Sequence, residues 1–155
     1  MRIKTIYTDG SCPENPGPGG WAVVVEFDGD KVFERGGAER DDTTNNRMEL
    51  QAAIEALKVV KLSKQTSSVD VITDSQYVKK GITEWIEKWK WKNWKTSSNK
   101  DVTNRDLWEI LDKLNSETNI EWKHVRGHQG VEGNERCDEI AGAFSADEPI
   151  ELKQL

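Results

Sequence analysis

The chain has 155 residues, 35% of them hydrophobic and 32% charged, with a formal net charge of −6. That length suits one domain able to bury about two thirds of its unfolded surface. No apolar run approaches the roughly 18 residues of a membrane span, and the acidity argues against a protein that coats nucleic acid through a broad basic face. Cys12 and Cys137 are too few for a disulfide framework and fit no zinc spacing, so both read as reduced structural thiols. The N-terminus, M-R-I-K-T-I-Y-T-D-G, reaches an aspartate too soon for a signal peptide, and a cytoplasmic protein is expected.

Ile3 to Thr8 reads as a first strand, rich in β-branched and aromatic residues, that stops at Asp9-Gly10. Gly10 to Gly20, with three prolines and several glycines, reads as a loop. Trp21 to Phe27 is a second strand, Asp28-Gly29-Asp30 a hairpin signal, and Lys31 to Glu34 the start of a third strand, with loop expected from about Gly36 to Thr44. The helical spacing of Met48, Ala52, Ala53, Ala56, Leu57 and Val60 predicts a helix from Asn46 to about Leu62. Val69 to Thr73 is a fourth strand ending at Asp74, and two short helices are expected from Gln76 to about Glu87. After a basic turn comes a helix near 104–116 with Leu107, Trp108, Leu111 and Leu114 on one face. Ile120 to Arg126 is a fifth strand and Gly127 to Gly133 a glycine-rich loop. A last helix carries Cys137, Ile140, Ala141 and Phe144 at i, i+3, i+4, i+7, and residues 146–155 read as a flexible tail on a single domain spanning 1–155. Three hairpin-joined strands followed by alternating helix and strand predict an α/β fold with a mixed sheet and helices on both faces.

Two strands end alike, in T-D-G at Asp9 and T-D-S at Asp74. Ligands of open α/β sheets bind beyond the carboxyl ends of parallel strands, so neighbouring strands one and four would place these aspartates together. Each alone has an ordinary reading, Asp9 as a turn and Asp74 as a helix N-cap. Glu49 completes a near match to a capping box with Asn46, and Asp138 sits on the flank of an apolar stripe. As a set, four carboxylates on rigid elements suit hard divalent cations and two-metal hydrolysis.

Charge is also segregated. Lys79 to Lys95 holds six lysines and two glutamates, a net +4 against −10 for the remainder, and Trp85, Trp89, Trp91 and Trp94 lie among them. Trp85 and Trp89, four apart, can share a helix face. Trp94 and Trp108 are expected to be buried.

The motifs Y-T-D-G-S-C, N-P-G-P-G-G-W, T-T-N-N-R-M-E-L, T-D-S-Q-Y-V, N-x-D-L-W and G-H-Q-G-V-E-G-N-E-R-C-D, in this order from Tyr7 to about Ala146, resemble bacterial type 1 ribonuclease H. The resemblance implies a five-stranded mixed sheet with helices on both faces, and hydrolysis of the RNA strand of an RNA/DNA hybrid to 5′-phosphate and 3′-hydroxyl ends. It implies metal ligation by Asp9, Glu49, Asp74 and Asp138, with His128 assisting proton transfer or product release. The implied cofactor is Mg²⁺, two ions during catalysis with Mn²⁺ able to substitute, and the implied state is a monomer. One ion would activate a water for in-line attack and the other stabilise the departing 3′ oxygen.

Substrate recognition is implied residue by residue as well. Asn15, Asn45, Asn46 and Gln76 match positions that touch the minor groove, where short amides suit 2′-hydroxyls. Thr44 and Asn104 match a phosphate pocket for the DNA strand. Trp85, Trp89, Lys88, Lys90, Lys92 and Lys95 match a basic protrusion that grips it. Asp42 departs from the pattern, standing where several family members carry a basic residue, and an aspartate beside the pocket should weaken it. A hybrid-binding module without catalysis would tolerate the loss of a carboxylate, whereas all four are present.

Overall fold

The computed structural model describes residues 1–127 and 129–155. Five strands, β1 (Ile3–Ser11), β2 (Gly17–Phe27), β3 (Val32–Thr43), β4 (Val69–Thr73) and β5 (Ile120–His124), form one sheet in the order β3-β2-β1-β4-β5. The first three run antiparallel, and β4 and β5 extend the sheet parallel to β1. This is the five-stranded mixed arrangement expected from the element order.

The sequence V-V-V in β2 is apolar without alternation because both faces are covered. Val23 and Val25 point into a core with Leu50, Ile54, Leu57 and Val60 of helix α1 (Asn45–Ser63) and with Leu107, Trp108, Leu111 and Leu114 of α4 (Arg105–Ser116). Between them in the chain come α2 (Gln76–Lys80), a π-helical turn (Gly81–Trp85) and α3 (Ile86–Trp91). Ala22 and Val24 point the other way, onto Cys137, Ile140 and Ala141 of α5 (Glu132–Ser145). The period-2 alternation of strand side chains thus feeds two separate cores.

The two expected loops around β2 are largely strand. Ser11 pairs with Gly20 and Gly17 with Thr43, so β1 and β2 extend into the glycine- and proline-rich stretch. Gly36 and Gly37, read as loop, pair with Ala22 and Trp21. A Cβ on Gly37 would meet the Trp21 indole at 2.6 Å, and one on Gly36 the Phe144 ring and Ile140. Those glycines make room for side chains from β2 and α5 rather than for a turn. The charged residues that follow, Glu39 to Asp42, are exposed on an edge strand, where charge deters pairing with another chain. Thr44, not Asn46, caps α1, its hydroxyl accepting from the Arg47 N–H at 3.2 Å. Trp108 is fully buried as expected, whereas Trp94 is only half-buried.

The tail after α5 departs most from expectation. Rather than hanging free, it lies against the outer edge of β3. The Glu34 N–H donates to the Lys153 carbonyl at 2.9 Å, and Ile150 and Leu152 pack on the α5 core. The Glu34 side chain, with no solvent exposure, accepts from Arg136 Nε at 2.7 Å, Arg136 Nη2 at 2.9 Å and the Lys153 N–H at 2.8 Å. Burial pushes the Glu34 carboxyl up, but the Arg136 and Lys153 hydrogen bonds outweigh it and hold it below the usual range. Hydropathy missed this because the attachment is mostly backbone and charge.

Glu34→Ala leaves Arg136 without its buried partner, a loss of roughly 3 kcal/mol and about 6–12 °C in Tm for a chain of this size. Thermal unfolding at neutral pH checks this. A Tm within 2 °C of wild type, by the same rough scaling, means that Glu34 does not tie the tail and α5 to β3.

Candidate active site

The site begins at Gly10. A Cβ there would fall inside the backbone of Met48 and Glu49, so only glycine lets β1 cross the first turn of α1 at backbone contact. That crossing sets Asp9, two residues before the end of β1, beside Glu49. On the other side β1 pairs in parallel with β4, Thr8 opposite Thr73 as the last pair, so Asp9 and Asp74, the next residue of each chain segment, stand side by side. Asp9, Glu49 and Asp74 each offer a carboxylate oxygen, and these oxygens lie within 4.8 Å of one another.

Asp9 and Glu49 are buried and Asp74 is half-buried. The Gly10 N–H donates to Asp9 Oδ1 at 2.9 Å, while Glu49 Oε1 is buried with no hydrogen-bond partner. An orphaned buried carboxylate oxygen facing two further carboxylates is costly in the apo protein and is what a cation would satisfy. Burial first, and then the charge of Asp74, push the Asp9 carboxyl from 3.8 up to about 8 despite hydrogen bonds from Glu49 and Gly10. Glu49 is driven up as well, by burial and then by Asp9 and Asp74. The residues present therefore fit a hard divalent ion, which replaces protons as the neutralising charge.

Asp138 stands apart from this trio. It is exposed on α5, yet near enough for its charge to raise Asp9 further. The end of β5 closes the other flank: a His124 ring nitrogen, Nε2, lies 3.2 Å from the Asp74 carbonyl oxygen. A Cβ on Gly127 would sit 3.0 Å from Asp74 Oδ2, so the chain leaving β5 passes against that carboxylate. His128 lies outside the described residues.

Around the α1 N-terminus the other candidates gather. Asn15 Oδ1 accepts from the Asn45 N–H at 3.0 Å, which joins the loop after β1 to the helix start. Asn15, Asn45, Asn46 and Gln76 are all exposed. Asn104, in left-handed conformation, donates through Nδ2 to the Tyr77 hydroxyl at 3.1 Å and accepts from Arg47 Nη1 at 3.2 Å. Arg47 also donates to both Asp106 oxygens, at 3.0 and 2.8 Å. Arg47 thus lies between Thr44 and Asn104 and belongs with them. It stood inside the motif T-T-N-N-R-M-E-L, but nothing in its spacing announced that its side chain would reach α4. Asp42 is exposed near the end of β3, two residues before Thr44.

The basic run divides in two. Lys90 is paired with Asp112 at 3.3 Å and Lys95 with Asp101 at 2.7 Å, so these two are partly committed within the protein. Lys88 and Lys92 are exposed and have no acidic partner among the described residues. Trp85 and Trp89 are half-buried in an aromatic cluster. Trp89 lies 5.3 Å from Trp108 and 5.9 Å from Trp85, and Tyr77 lies 5.8 Å from Trp85. Trp91, which the sequence reading left without a role, is 88% exposed.

The RNase H family profile matches residues 1–145. The chain belongs to the RNase H family. Membership makes it a hydrolase of the nuclease class. It is 55% identical over 153 residues to a ribonuclease H of Thermosynechococcus vestitus, covering 99% of this chain and 95% of that one. Among solved structures, LC9-RNase H1, described as a type 1 RNase H with the type 2 active-site motif, superposes with a TM-score of 0.82 at 30% identity. That match covers 99% of this chain and 76% of the other. LC11-RNase H1, solved in complex with an RNA/DNA hybrid, superposes with a TM-score of 0.67 at 27% identity, covering 94% and 98%. Among the described residues no helix is long and apolar enough to cross a membrane.

The raised carboxyl fixes a pH dependence for the metal-free protein. The folded chain keeps the Asp9 proton up to about pH 8, whereas the unfolded chain releases it near 3.8. The Asp9 contribution to stability is therefore fully present below the lower value and is lost as pH rises through the upper one. In chelator, Tm should fall across that window, and Asp9→Asn should flatten the fall and raise Tm at its alkaline end. Parallel Tm–pH curves for the two proteins would remove Asp9 from the repulsive cluster.

Proposed function

We propose that this ribonuclease H is an endonuclease that hydrolyses the RNA strand of RNA/DNA hybrids, leaving 5′-phosphate and 3′-hydroxyl ends. The observation that carries the reading is the convergence of three carboxylates at adjacent strand ends and a helix start, with one buried oxygen left unsatisfied. Asp9, Glu49, Asp74 and Asp138 would hold two Mg²⁺ ions, or Mn²⁺ in their place, which when bound supply an activated water and stabilise the departing 3′ oxygen. Asp138, exposed on a separate helix, completes the ligand set from the solvent side. His128 is assigned assistance in proton transfer or product release.

The chain's own groups do the selecting. Asn15, Asn45, Asn46 and Gln76 present exposed amides suited to 2′-hydroxyls and base edges of the minor groove. Thr44 and Asn104 form the phosphate pocket for the DNA strand, tied together by Arg47, whose backbone N–H donates to the Thr44 hydroxyl and whose guanidinium donates to Asn104 Oδ1. Lys88 and Lys92 supply cations to the same strand, with Lys90 and Lys95 contributing less because of their internal partners. Trp85 and Trp89 back this surface with half-buried rings. The whole chain acts as one domain and as a monomer, in the cytoplasm.

Hybrid, duplex RNA and duplex DNA, each incubated with protein and Mg²⁺, test this. Only the RNA of the hybrid should be cut, and Asp9→Asn should reduce cutting to background while the protein remains folded. Cleavage of duplex DNA in preference, or ready cleavage by Asp9→Asn, overturns the assignment.

The two classes of lysine separate in a salt series. Lys88→Ala with Lys92→Ala should raise KM for the hybrid at nearly constant kcat and flatten the salt dependence by roughly one to two units of slope. Lys90→Ala with Lys95→Ala should change the slope less. Equal slopes for the two double variants mean that internal pairing does not govern which lysines meet phosphate.

A further inference from the structure

Trp91 is the anomaly of the surface. The other six tryptophans are buried or half-buried; of those near it in sequence, Trp89 and Trp94 pack against the main core and Trp85 against the rings of Tyr77 and Trp89. Trp91 closes α3 with 88% of its surface in solvent. Placing the largest apolar side chain almost wholly in water forgoes stabilisation that the adjacent core gives Trp89 and Trp94; a lone exposed apolar residue is ordinary on a protein surface, so it is the charges around this one that set it apart.

What surrounds it identifies the partner's chemistry. Lys88, Trp91 and Lys92 are spaced i, i+3, i+4, which on a helix puts them together on one face. Ile86, which is buried, lies on the opposite side of the helix, and the half-buried Trp89 sits about a quarter-turn round from Lys88. It presents a flat indole flanked by two ammonium groups with no acidic partner among the described residues, on a protein whose remaining surface is strongly acidic. An acidic peptide could meet the lysines, but a nucleic-acid strand alternates anionic phosphates with flat or puckered rings and so matches both kinds of group at once.

We propose that Trp91 is a substrate-binding residue of this nuclease, stacking on a sugar or base of the strand whose phosphates Lys88 and Lys92 neutralise. The proposal rests on the hybrid-cleaving reading above and deepens it. Trp91 is the most exposed ring of the basic run, with Trp85 and Trp89 half-buried beside it. Because the indole is neutral, its contribution is independent of counterion release, unlike that of the lysines. The surface therefore combines a salt-sensitive grip with a salt-insensitive one a single residue apart.

Steady-state cleavage of a hybrid by wild type, Trp91→Ala and Trp91→Phe across a salt series decides it. Trp91→Ala should raise KM on the order of tenfold, the scale of one lost stacking contact, with kcat held and the salt slope unchanged. Trp91→Phe should recover most of the loss, and Tm should stay at the wild-type value for both, since the ring touches little of the core. A KM for Trp91→Ala within twofold of wild type overturns the proposal, as does a Phe variant no better than Ala. So does a salt slope that shifts as it does on removing a lysine. Failure of the wild type to cut hybrid at all is a different result, one that removes the parent reading rather than the role of Trp91 within it.

Discussion

The structure turns on one close approach, that of Gly10 to the first turn of α1. Strand and helix meet there at backbone contact, which no side chain at position 10 would permit. Asp9 and Glu49 are consequently neighbours although forty residues separate them, and the parallel pairing of β1 with β4 adds Asp74. Were that crossing wider, the three carboxylates would be solvated acids on separate elements. As it is, they share a small, mostly dry volume and repel one another.

That repulsion links fold to function. A buried carboxyl pushed up to about 8 and an unsatisfied Glu49 oxygen are destabilising in the metal-free chain. They persist because the two hydrophobic cores on either side of the sheet over-determine the backbone that carries them. Local strain of this kind is what a cation-binding site requires: ligands already gathered, lacking only the positive charge. The same cores orient α5 so that Asp138 faces the site from solvent while Cys137, one residue earlier, is sealed inside.

Away from the carboxylates the protein sorts its charges by whether they are already matched. Glu34 and Arg136 are spent on each other and on the tail, Arg47 on Asp106 and Asn104, Lys90 and Lys95 on nearby aspartates. Those on Lys88 and Lys92 are not. An acidic protein can therefore present a local cationic face to an acidic polymer, because the excess negative charge lies elsewhere.

Much of this was legible in the sequence, where it depended on periodicity. The helical stripes of α1, α4 and α5, the strand β4 and the element order all follow from local spacing, which each segment carries within itself. The motifs around Asp9, Glu49 and Asp74 indicated a carboxylate site by likeness to a family. Spacing alone left each with an ordinary alternative, a turn or a cap. What tertiary structure decided were the non-local matters. Gly36 and Gly37 are strand because Trp21 and Phe144 occupy the space a Cβ would need. The tail is bound because Glu34 lies waiting in β3, and Arg47 joins Asn104 only because α1 and α4 pack together. Trp91 rather than Trp89 faces solvent because α3 directs Ile86 and Trp89 toward the core. Composition records which residues are present in such a run; only the direction in which the helix turns them determines which ones meet water.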